Sequence, residues 1–328
     1  MKKALILGIT GQDGSYLAEV LLEKGYEVHG LIRRSATGNT QNINHLIHDS
    51  ELYEKRLFLH RGDLADTMSI FRVINTVRPS DIYNEADQDH AGWSFSIIDY
   101  SLDITGSAVG RLLECVRQID PGIKFFQPCT SNMFGQAKEN PQNETTPYSP
   151  QSPYACAKVM AQLLCRHFRE AYGMFVSTAI FYNHESPRRI EEYVTRKITV
   201  AAARISLGMQ DKLVLGDLSA EIDWGYAKEY MEAAWNILQL DQPDDFVIAT
   251  GETHSVLEFV EETFRVLGLD PEKYVVSDKK FFRPTSNVAL AGDSTKARKA
   301  FGFNPKMRFK ELVRLMVKSD LKMLKHKN

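Results

Sequence analysis

Residues 5–19 read LILGITGQDGSYLAE, and this stretch decides the fold. An apolar run ends at Gly8, two further glycines follow at Gly11 and Gly14, and apolar residues then recur at helical spacing. Glycines in this place allow a sharp turn and let a helix pack closely against the preceding strand. The stretch therefore predicts a strand that turns directly into a helix, with Gly25 as the helix stop.

The first 180 residues continue this alternation of short apolar strands and amphipathic helices. Strands are predicted at 4–9, 26–32, 56–61, 81–86, 124–129 and 175–181. Strands joined by helical crossovers imply a parallel, doubly wound sheet, so the predicted fold class is α/β and Rossmann-like. Farther along, the pattern predicts a helix at 223–238, a strand at 245–250 and a terminal helix.

The predicted organisation has two interleaved domains. The first is a dinucleotide-binding domain over 1–182, with later segments near 217–251 and 285–308. A smaller C-terminal substrate domain comprises mainly residues 183–328, and no Gly/Ser linker separates the two domains.

The glycine pattern G-x-x-G-x-x-G predicts a loop whose backbone approaches a pyrophosphate at a helix N-terminus. The alternative, an ordinary strand–helix turn, is weaker because the pattern lies in the first unit of an alternating chain. The cofactor-binding residues predicted here and after the third strand are Gly8, Gly11, Gln12, Asp13, Gly14, Asp63 and Leu64. Asp63 would accept from the adenine amine, or would instead cap the next helix.

Two arginines follow the second predicted strand. An acidic residue there usually binds the ribose 2′-hydroxyl of NAD, whereas Arg33 and Arg34 would suit the 2′-phosphate of NADP. They could equally form a solvated basic pair or stack on adenine. The residues alone therefore leave the choice of cofactor open.

Composition excludes several classes of function. The chain has 328 residues, 43% of them hydrophobic, and a net charge of -2 without a long basic run, so a nucleic-acid surface is not expected. No run of about 18 apolar residues suggests a transmembrane helix. Cys115, Cys129, Cys156 and Cys165 lack C-x-x-C spacing, which predicts reduced thiols in a cytoplasmic protein.

A catalytic group is predicted from Thr130, Tyr154 and Lys158. Tyr154 and Lys158 stand four residues apart, on one face of a helix that begins near Pro153. A phenol has a pKa of about 10, and a cation one turn away lowers it, so Tyr154 could remove an alcohol proton. Thr130, at a strand end, could hold the same oxygen, although a solvated Tyr–Lys pair is the ordinary alternative.

These residues resemble the extended short-chain dehydrogenase/reductases and, within them, the GDP-mannose 4,6-dehydratase family. The resemblance runs nearly end to end and rests on SPYACAK (152–158), FYNHESPRR (181–189), YVTRKI (193–198), DWGYAKEYMEAAW (223–235) and GDSTKA (292–297). It implies a GDP-sugar substrate, a nicotinamide cofactor and a homodimer or homotetramer. The cofactor it implies is NAD(H), which could be tightly bound or could dissociate after reduction, with NADP(H) as the alternative.

The resemblance also implies a substrate site. The matching positions are Gln88, His90, Ser131, Asn183, Arg188, Lys197 and Arg283. Arginines suit a diphosphate and a lysine suits guanine O6, although a solvated charge cluster is the alternative. Two positions depart from the family, where Ile222 replaces an arginine and Ser286 a glutamate. No second ligand stands at metal spacing from His90, so no metal is expected.

One departure decides the predicted function. The family has a glutamate where this chain has Asn132, and the glutamate removes the C5 proton after C4 is oxidised. An amide does not titrate, so Asn132 cannot be that base. The chain is therefore predicted to be a GDP-sugar 4-dehydrogenase, an oxidoreductase that stops at the 4-keto sugar. More narrowly, it resembles a branch of the family that acts on GDP-manno-heptose in capsule synthesis, and a second carbonyl substrate would reoxidise the cofactor.

Three alternatives remain. Asp87 or Asp89, where the family has Ala and Ser, could replace the missing base in a true 4,6-dehydratase. The enzyme could instead be a 4-epimerase that returns hydride to the opposite face. A cofactor-binding regulatory protein is the non-catalytic alternative, and the retained Tyr154 argues against it.

Overall fold

The computed structural model describes residues 1–36, 38–281 and 289–325. Its main element is a seven-stranded sheet in the order β10-β6-β5-β4-β1-β2-β3, with every neighbouring pair parallel. The strands of the described residues are β1 (Lys3–Leu7), β2 (Glu27–Ile32), β3 (Leu57–Arg61), β4 (Asp81–Asn84), β5 (Lys124–Thr130), β6 (Val176–Phe181), β7 (Asn183–Glu185), β8 (Leu213–Leu215), β9 (Glu221–Tyr226), β10 (Asp245–Ile248), β11 (Thr253–Ser255) and β12 (Val275–Ser277).

Helices follow most strands of the main sheet. They are α1 (Gln12–Glu23), α2 (Asn44–Ile47), α3 (Thr67–Val77), α4 (Ile98–Ser101), α5 (Ala108–Ile119), α6 (Pro153–Tyr172), α7 (Val194–Ser206), α8 (Ala227–Gln239), α9 (Val256–Leu267), α10 (Thr295–Phe301) and α11 (Phe309–Lys325). A π-helical segment, Leu102–Ser107, joins α4 to α5. None of the helices described is long and apolar enough to cross a lipid bilayer.

The topology confirms the predicted doubly wound α/β sheet and shows where a ligand would bind. β1 lies between β2 and β4, so the chain winds outward in opposite directions on the two sides of the β1–β4 pair. Ligands in such sheets bind at the carboxyl ends of the strands beside this switch point. The loops after β1, β4 and β5 therefore form the expected site.

Both faces of the sheet are buried. Helices α1 and α8 cover one face, where Leu17, Leu21 and Met231 are fully enclosed. Helices α3, α5 and α6 cover the other face around Leu112 and Phe125. Burial on both faces explains why the strands read as continuous apolar runs rather than as alternating ones.

A second group of elements follows β6. Strands β11, β9 and β7 form a three-stranded sheet, β12 pairs with β8, and α7, α9 and α11 share a core around Trp224 and Phe259. We propose that this group is the smaller interleaved domain predicted from the sequence, with α8 and β10 returning to the first domain.

One predicted element is partly wrong. The helix predicted at 223–238 begins only at Ala227, because the preceding residues Glu221–Tyr226 form β9. Asp223, Trp224 and Gly225 are all buried, so the two-residue alternation that would mark a strand is hidden. The pairing partners β7 and β11 lie far away in the chain, and local periodicity does not reveal them.

Candidate active site

The glycine loop between β1 and α1 is closed against the backbone of neighbouring segments. Gly8 has a φ of +81°, and a Cβ there would lie 2.5 Å from the Glu85 carbonyl oxygen. A Cβ at Gly14 would lie 2.3 Å from the Gly8 carbonyl oxygen. Only glycine fits these two positions, and the loop leads straight into the N-terminus of α1, which starts after Gly11. A loop of this shape suits the close approach of a diphosphate.

Gln12 and Asp13, at the start of α1, reach across to the segment of β7. Gln12 Nε2 donates to the His184 carbonyl oxygen over 3.1 Å, and its Oε1 accepts from Ser186. Asp13 Oδ2 lies 2.9 Å from His184 Nε2. Burial opposes both charges, yet their attraction lowers the pKa of Asp13 and raises that of His184. These two side chains clamp the cofactor loop to the later half of the chain.

The remaining predicted cofactor residues lie at the ends of β2 and β3. Arg33 and Arg34 are exposed, and Arg33 donates to the Tyr100 hydroxyl over 2.9 Å. Asp63 accepts from the Ala65 backbone N–H over 3.0 Å.

The cap of α3 is Asp66, whose carboxylate accepts from two backbone N–H groups. Asp63 is therefore not the helix cap. Leu64 is buried, and its carbonyl oxygen accepts from Arg111.

The catalytic residues predicted from the sequence are brought together at the ends of β5 and α6. Ser152 caps α6 by accepting from the Ala155 N–H, which places Tyr154 in the first turn. The Lys158 ammonium lies 5.8 Å from the centre of the Tyr154 ring and donates to the Pro128 carbonyl oxygen over 2.8 Å. The side chains of Thr130, Tyr154 and Lys158 are all buried.

Two carboxylates after β4 change the electrostatics of this group. The pKa of the Tyr154 phenol is raised above its ordinary value, because burial, Asp87 and Asp89 outweigh the opposing effects of Lys158 and Thr130. The net lowering of this pKa that the sequence predicted from Lys158 is therefore not observed. Asp87 Oδ2 lies 2.6 Å from Lys158 Nζ, so the lysine is shared between the phenol and this carboxylate. Although burial opposes its charge, Asp87 raises the pKa of Lys158.

Asp87 is the better placed of the two candidate bases. Burial and the nearby Asp89 raise the pKa of Asp87, while Lys158 lowers it. Asp89 is half exposed and lies 3.7 Å from Arg189, the second arginine of PRR. Asp87 therefore combines burial, a raised pKa and contact with Lys158.

Asn132 lies in a short turn, Ser131–Met133, directly after Thr130. Its side-chain Nδ2 donates to Thr130 Oγ1 over 3.1 Å, and its backbone N–H reaches the same oxygen over 3.3 Å.

Two of the predicted substrate residues, Arg188 and Lys197, contact other side chains of the protein. Arg188 stacks 3.9 Å above the Tyr16 ring, donates to Ser15 over 3.0 Å and pairs with Glu19. Lys197 lies 5.1 Å from the centre of the Phe281 ring.

Asn183 stands in β7, paired in register with Trp224. Arg283 and Ser286 lie outside the described residues. Ile222 lies in β9 and pairs with His254.

Gln88, His90 and Ser131 are close to the catalytic group but have internal partners. Gln88 accepts from Ser101 over 3.0 Å and donates to the His90 carbonyl oxygen over 3.1 Å. The His90 ring stacks near Trp93 and accepts from its backbone N–H. Ser131 is buried at the end of β5.

Sequence reasoning missed two ionisable residues that are only partly exposed. The Arg189 guanidinium lies 3.5 Å from the centre of the Tyr193 ring and 3.5 Å from Glu185. Glu85, directly after β4, has an Oε1 atom without a hydrogen-bond partner, and burial together with Asp13 raises its pKa well above the ordinary value. The signal for Glu85 was a charged residue directly after a buried strand, in DIYNEA. Among the residues described, no group of three or more His, Cys, Asp and Glu side chains is arranged to hold a metal ion.

A family model described as GDP-mannose 4,6 dehydratase matches residues 5–316. GDP-mannose 4,6 dehydratase 1 of Arabidopsis thaliana is 50% identical over 329 residues, which cover 99% of this chain and 91% of that protein. The chain belongs to the GDP-mannose 4,6-dehydratase family.

Other members of the GDP-mannose 4,6-dehydratase family agree. GDP-mannose 4,6 dehydratase of Homo sapiens is 46% identical over 342 residues, covering 98% of this chain and 92% of the human protein. GDP-mannose 4,6-dehydratase of Vibrio cholerae is 42% identical over 350 residues, which cover 98% of this chain and 94% of the Vibrio protein.

Solved structures confirm the Rossmann-like fold. UDP-glucose 4-epimerase of Thermotoga maritima, with UDP-glucose, aligns with a TM-score of 0.86 at 22% identity, covering 98% of this chain and 99% of that one. The dTDP-glucose 4,6-dehydratase DesIV of Streptomyces venezuelae, with NAD and TYD bound, aligns with a TM-score of 0.84 at 21% identity. The alignment covers 97% of this chain and 96% of that one. At this level of identity the likeness shows the fold alone.

Membership of the GDP-mannose 4,6-dehydratase family corrects the predicted function. The prediction of a 4-dehydrogenase, an oxidoreductase that stops before dehydration, is wrong, because relatives with 42–50% identity are named as dehydratases, which are lyases. That prediction rested on Asn132 alone. The narrower prediction of a heptose 4-dehydrogenase branch gains no support from these relatives. One lost carboxylate does not decide a reaction when a second one, Asp87, lies beside the catalytic lysine.

Proposed function

We propose that the chain is a nucleotide-sugar lyase that converts GDP-mannose to its 4-keto-6-deoxy product, with Asp87 as the C5 base in place of the family glutamate. The observation that carries the proposal is the Asp87 carboxylate, 2.6 Å from Lys158 in the same buried group as Tyr154. The redox group would be a nicotinamide dinucleotide, as in the related folds with NAD bound.

The residues present fit such a cofactor. The closed glycine loop and the N-terminus of α1 suit a diphosphate, because backbone N–H groups and the helix dipole favour its negative charge. When bound, the nicotinamide supplies hydride transfer. NAD(H) is the cofactor we propose, while Arg33 and Arg34 favour a 2′-phosphate and therefore keep NADP(H) as the alternative.

The first step would oxidise C4. Tyr154 takes the proton of the C4 hydroxyl, while the hydride leaves the same carbon. Lys158 stabilises the phenolate form, and Thr130 donates a hydrogen bond that favours the same form. The new ketone makes the neighbouring C5 proton acidic.

The second step would remove water. Asp87 would take the proton from C5, the C–H electron pair would form the C5–C6 double bond, and the C6 hydroxyl would leave as water with the proton that Asp87 took. C6 would then receive the hydride from the bound nicotinamide, and Tyr154 would give C5 the proton that it took from the C4 hydroxyl. The sequence of steps is redox-neutral, so the second carbonyl substrate predicted for a dehydrogenase is not needed.

Asp87 suits this step better than Asp89 for two reasons. A base must be ionised, and contact with Lys158 maintains the charge of Asp87 inside a buried site. A stronger base has a higher pKa, and burial raises the pKa of Asp87. Asp89 lies at the exposed rim and faces Arg189, so it would hold the sugar rather than react with it.

GDP is the proposed nucleotide because family members named for GDP-mannose match nearly the whole chain. Lys197, which lies on α7 beside Phe281, would supply a cation for guanine O6, and Arg188 lies beside α1. Arg283 stays a prediction.

Assembly and location also stay predictions. Large apolar side chains are exposed along 93–102 and on α6, among them Trp93, Ile98 and Leu163, and they support a homodimer or homotetramer. A cytoplasmic location is expected from the type of enzyme and from the sequence.

Product analysis tests the proposal. The purified protein, with NAD(H) or NADP(H) added, should convert GDP-mannose to a sugar that has lost one water and carries a methyl group at C6, as seen by mass spectrometry and NMR. Tyr154→Phe should abolish the conversion and preserve cofactor binding, which separates an enzyme from a cofactor-binding regulator. A 4-keto product with its C6 hydroxyl intact would contradict the proposal.

A further inference from the structure

The residue that replaces the family glutamate has hydrogen bonds of its own. Asn132 Nδ2 donates to Thr130 Oγ1 over 3.1 Å, and the backbone N–H of Asn132 reaches the same oxygen over 3.3 Å. A hydroxyl group has one proton to donate and two lone pairs that accept. The two donors of Asn132 therefore take up the accepting capacity of the Thr130 hydroxyl, and its proton points elsewhere.

Thr130 also interacts with the Tyr154 phenol. This interaction lowers the pKa of the phenol, which is the effect expected of a hydroxyl that donates to the phenolate. The phenolate needs this support, because burial, Asp87 and Asp89 all act against it and Lys158 is shared with Asp87. Thr130 and Lys158 are the groups that act in its favour.

We infer that Asn132 is a positioning residue for C4 oxidation: its amide fixes the Thr130 hydroxyl as a donor toward the oxygen that Tyr154 and the sugar C4 share. An aspartate at position 132, with the same length as asparagine, accepts hydrogen bonds only, so it would draw the Thr130 proton toward itself and away from Tyr154. In the proposed mechanism the amide at position 132 thus has a different task from that of the family glutamate. This inference rests on the proposed function.

Other charged groups around Tyr154 come from three elements. Lys158 belongs to α6, Asp87 and Asp89 follow β4, and Tyr193 precedes α7. A neutral substitution at position 132 leaves all of them in place. A shift in the pH profile of oxidation therefore reports the hydrogen bond from Thr130.

The test isolates C4 oxidation from dehydration. GDP-6-deoxymannose has no C6 hydroxyl to lose, so its oxidation stops at the ketone and is followed by the absorbance of the reduced cofactor in a single turnover. Asn132→Leu removes the side-chain donor without adding charge, and Asn132→Asp replaces it with an acceptor of the same shape that also adds a negative charge. We expect both variants to raise the apparent pKa of oxidation, and Asn132→Leu to raise it by about one unit, which makes the reaction about tenfold slower at neutral pH.

A double-mutant cycle separates positioning from a structural role. In a Thr130→Val background, which has no hydroxyl to orient, Asn132→Leu should change the oxidation rate by less than about twofold. Thr130→Ser keeps a hydroxyl and should retain the sensitivity to Asn132→Leu. Thermal unfolding and cofactor affinity show that each variant is folded, and Asn132→Ala, which is also neutral, supplies the answer if Asn132→Leu is not.

Two results would overturn the inference. One is a pH profile for Asn132→Leu and Asn132→Asp that overlays the wild type. The other is an equal loss of rate from Asn132→Leu with and without the Thr130 hydroxyl. Neither result bears on the proposed function, which fails instead if the wild type makes no 6-deoxy product from GDP-mannose.

Discussion

Asp87 and Lys158 form a buried ion pair, with 2.6 Å between carboxylate oxygen and ammonium nitrogen. The pair joins the loop after β4 to the helix that carries Tyr154. It gives one lysine two partners, the phenol of the oxidation step and the carboxylate of the proposed elimination step. The two chemical steps are therefore coupled through a single ammonium group.

This coupling predicts opposite effects of Asp87→Asn on the two steps. Asp87 raises the pKa of Tyr154, so its neutralisation should shift the pH profile of C4 oxidation to lower pH. Oxidation of GDP-6-deoxymannose near neutral pH should be equal to or faster than in the wild type, by up to about tenfold. Asp89→Asn is the matched control and should shift the profile less. A slower oxidation with an unchanged profile would show that the ion pair is structural.

The raised pKa of Glu85 predicts that its contribution to the free energy of unfolding falls as pH rises. Its folded pKa is raised above the ordinary value of 4.5, so its contribution is full below 4.5 and is lost as pH rises toward the folded pKa. Glu85→Gln mimics the protonated acid and should be more stable than the wild type at pH 8 by about 1–2 kcal/mol, with a smaller gain at pH 5. Chemical denaturation measures this difference. The exposed Glu261→Gln is the control, and an equal gain at both pH values would refute the prediction.

The Asp13–His184 pair predicts a second pH dependence. The raised pKa of His184 gives stability that is full below 6.5 and is lost as pH rises through the folded pKa. The lowered pKa of Asp13 gives stability above 3.8 that is lost as pH falls through its folded pKa. The pair is therefore most stabilising between these two values.

Replacing His184 by Gln should remove the loss of stability that is expected as pH rises above 6.5. Above about pH 6.5, and until the folded His184 has lost its proton, the wild type should lose up to about 1.4 kcal/mol per pH unit more than His184→Gln does. The exposed His167→Gln serves as the control in denaturation experiments. Parallel curves for wild type and His184→Gln would contradict the assigned charge of this pair.

Arg33 and Arg34 predict a selective effect on cofactor binding. If they hold a 2′-phosphate, their joint replacement by Ala should weaken NADP(H) at least about tenfold and leave NAD(H) within about twofold. Calorimetric titration of both cofactors gives the two affinities. An equal loss for both would mean that the arginines act on the adenine or on the fold instead.

Much of the fold was open to prediction because its signals are local. The glycine loop, the apolar strands and the capped helix at Ser152 each depend on neighbouring residues, and the structure contains all three. Strand β9 was mistaken for helix because its buried run has no alternation and its partners are remote. Local patterns do not show which distant strands pair.

The same distinction applies to the site. Thr130 and Tyr154 were predictable because parallel strands and the following helix bring their ends to one edge of the sheet. The Asp13–His184 contact spans 171 residues, and no local pattern links its members. Asn132 was read correctly as a residue that cannot titrate, but the conclusion that dehydration is absent did not follow, since another strand end supplies a carboxylate.

Isotope incorporation at C5 tests the central claim most directly. In D2O the wild type should convert GDP-mannose to a 4-keto-6-deoxy product with deuterium at C5, because the hydrogen that returns to C5 comes from a hydroxyl group that exchanges with solvent. Asp89→Asn should do the same, whereas Asp87→Asn should still reduce the cofactor and give neither deuterium at C5 nor a 6-deoxy sugar. Full incorporation by Asp87→Asn would contradict the assignment of the base, and a wild-type product that keeps its C6 hydroxyl would contradict dehydration itself.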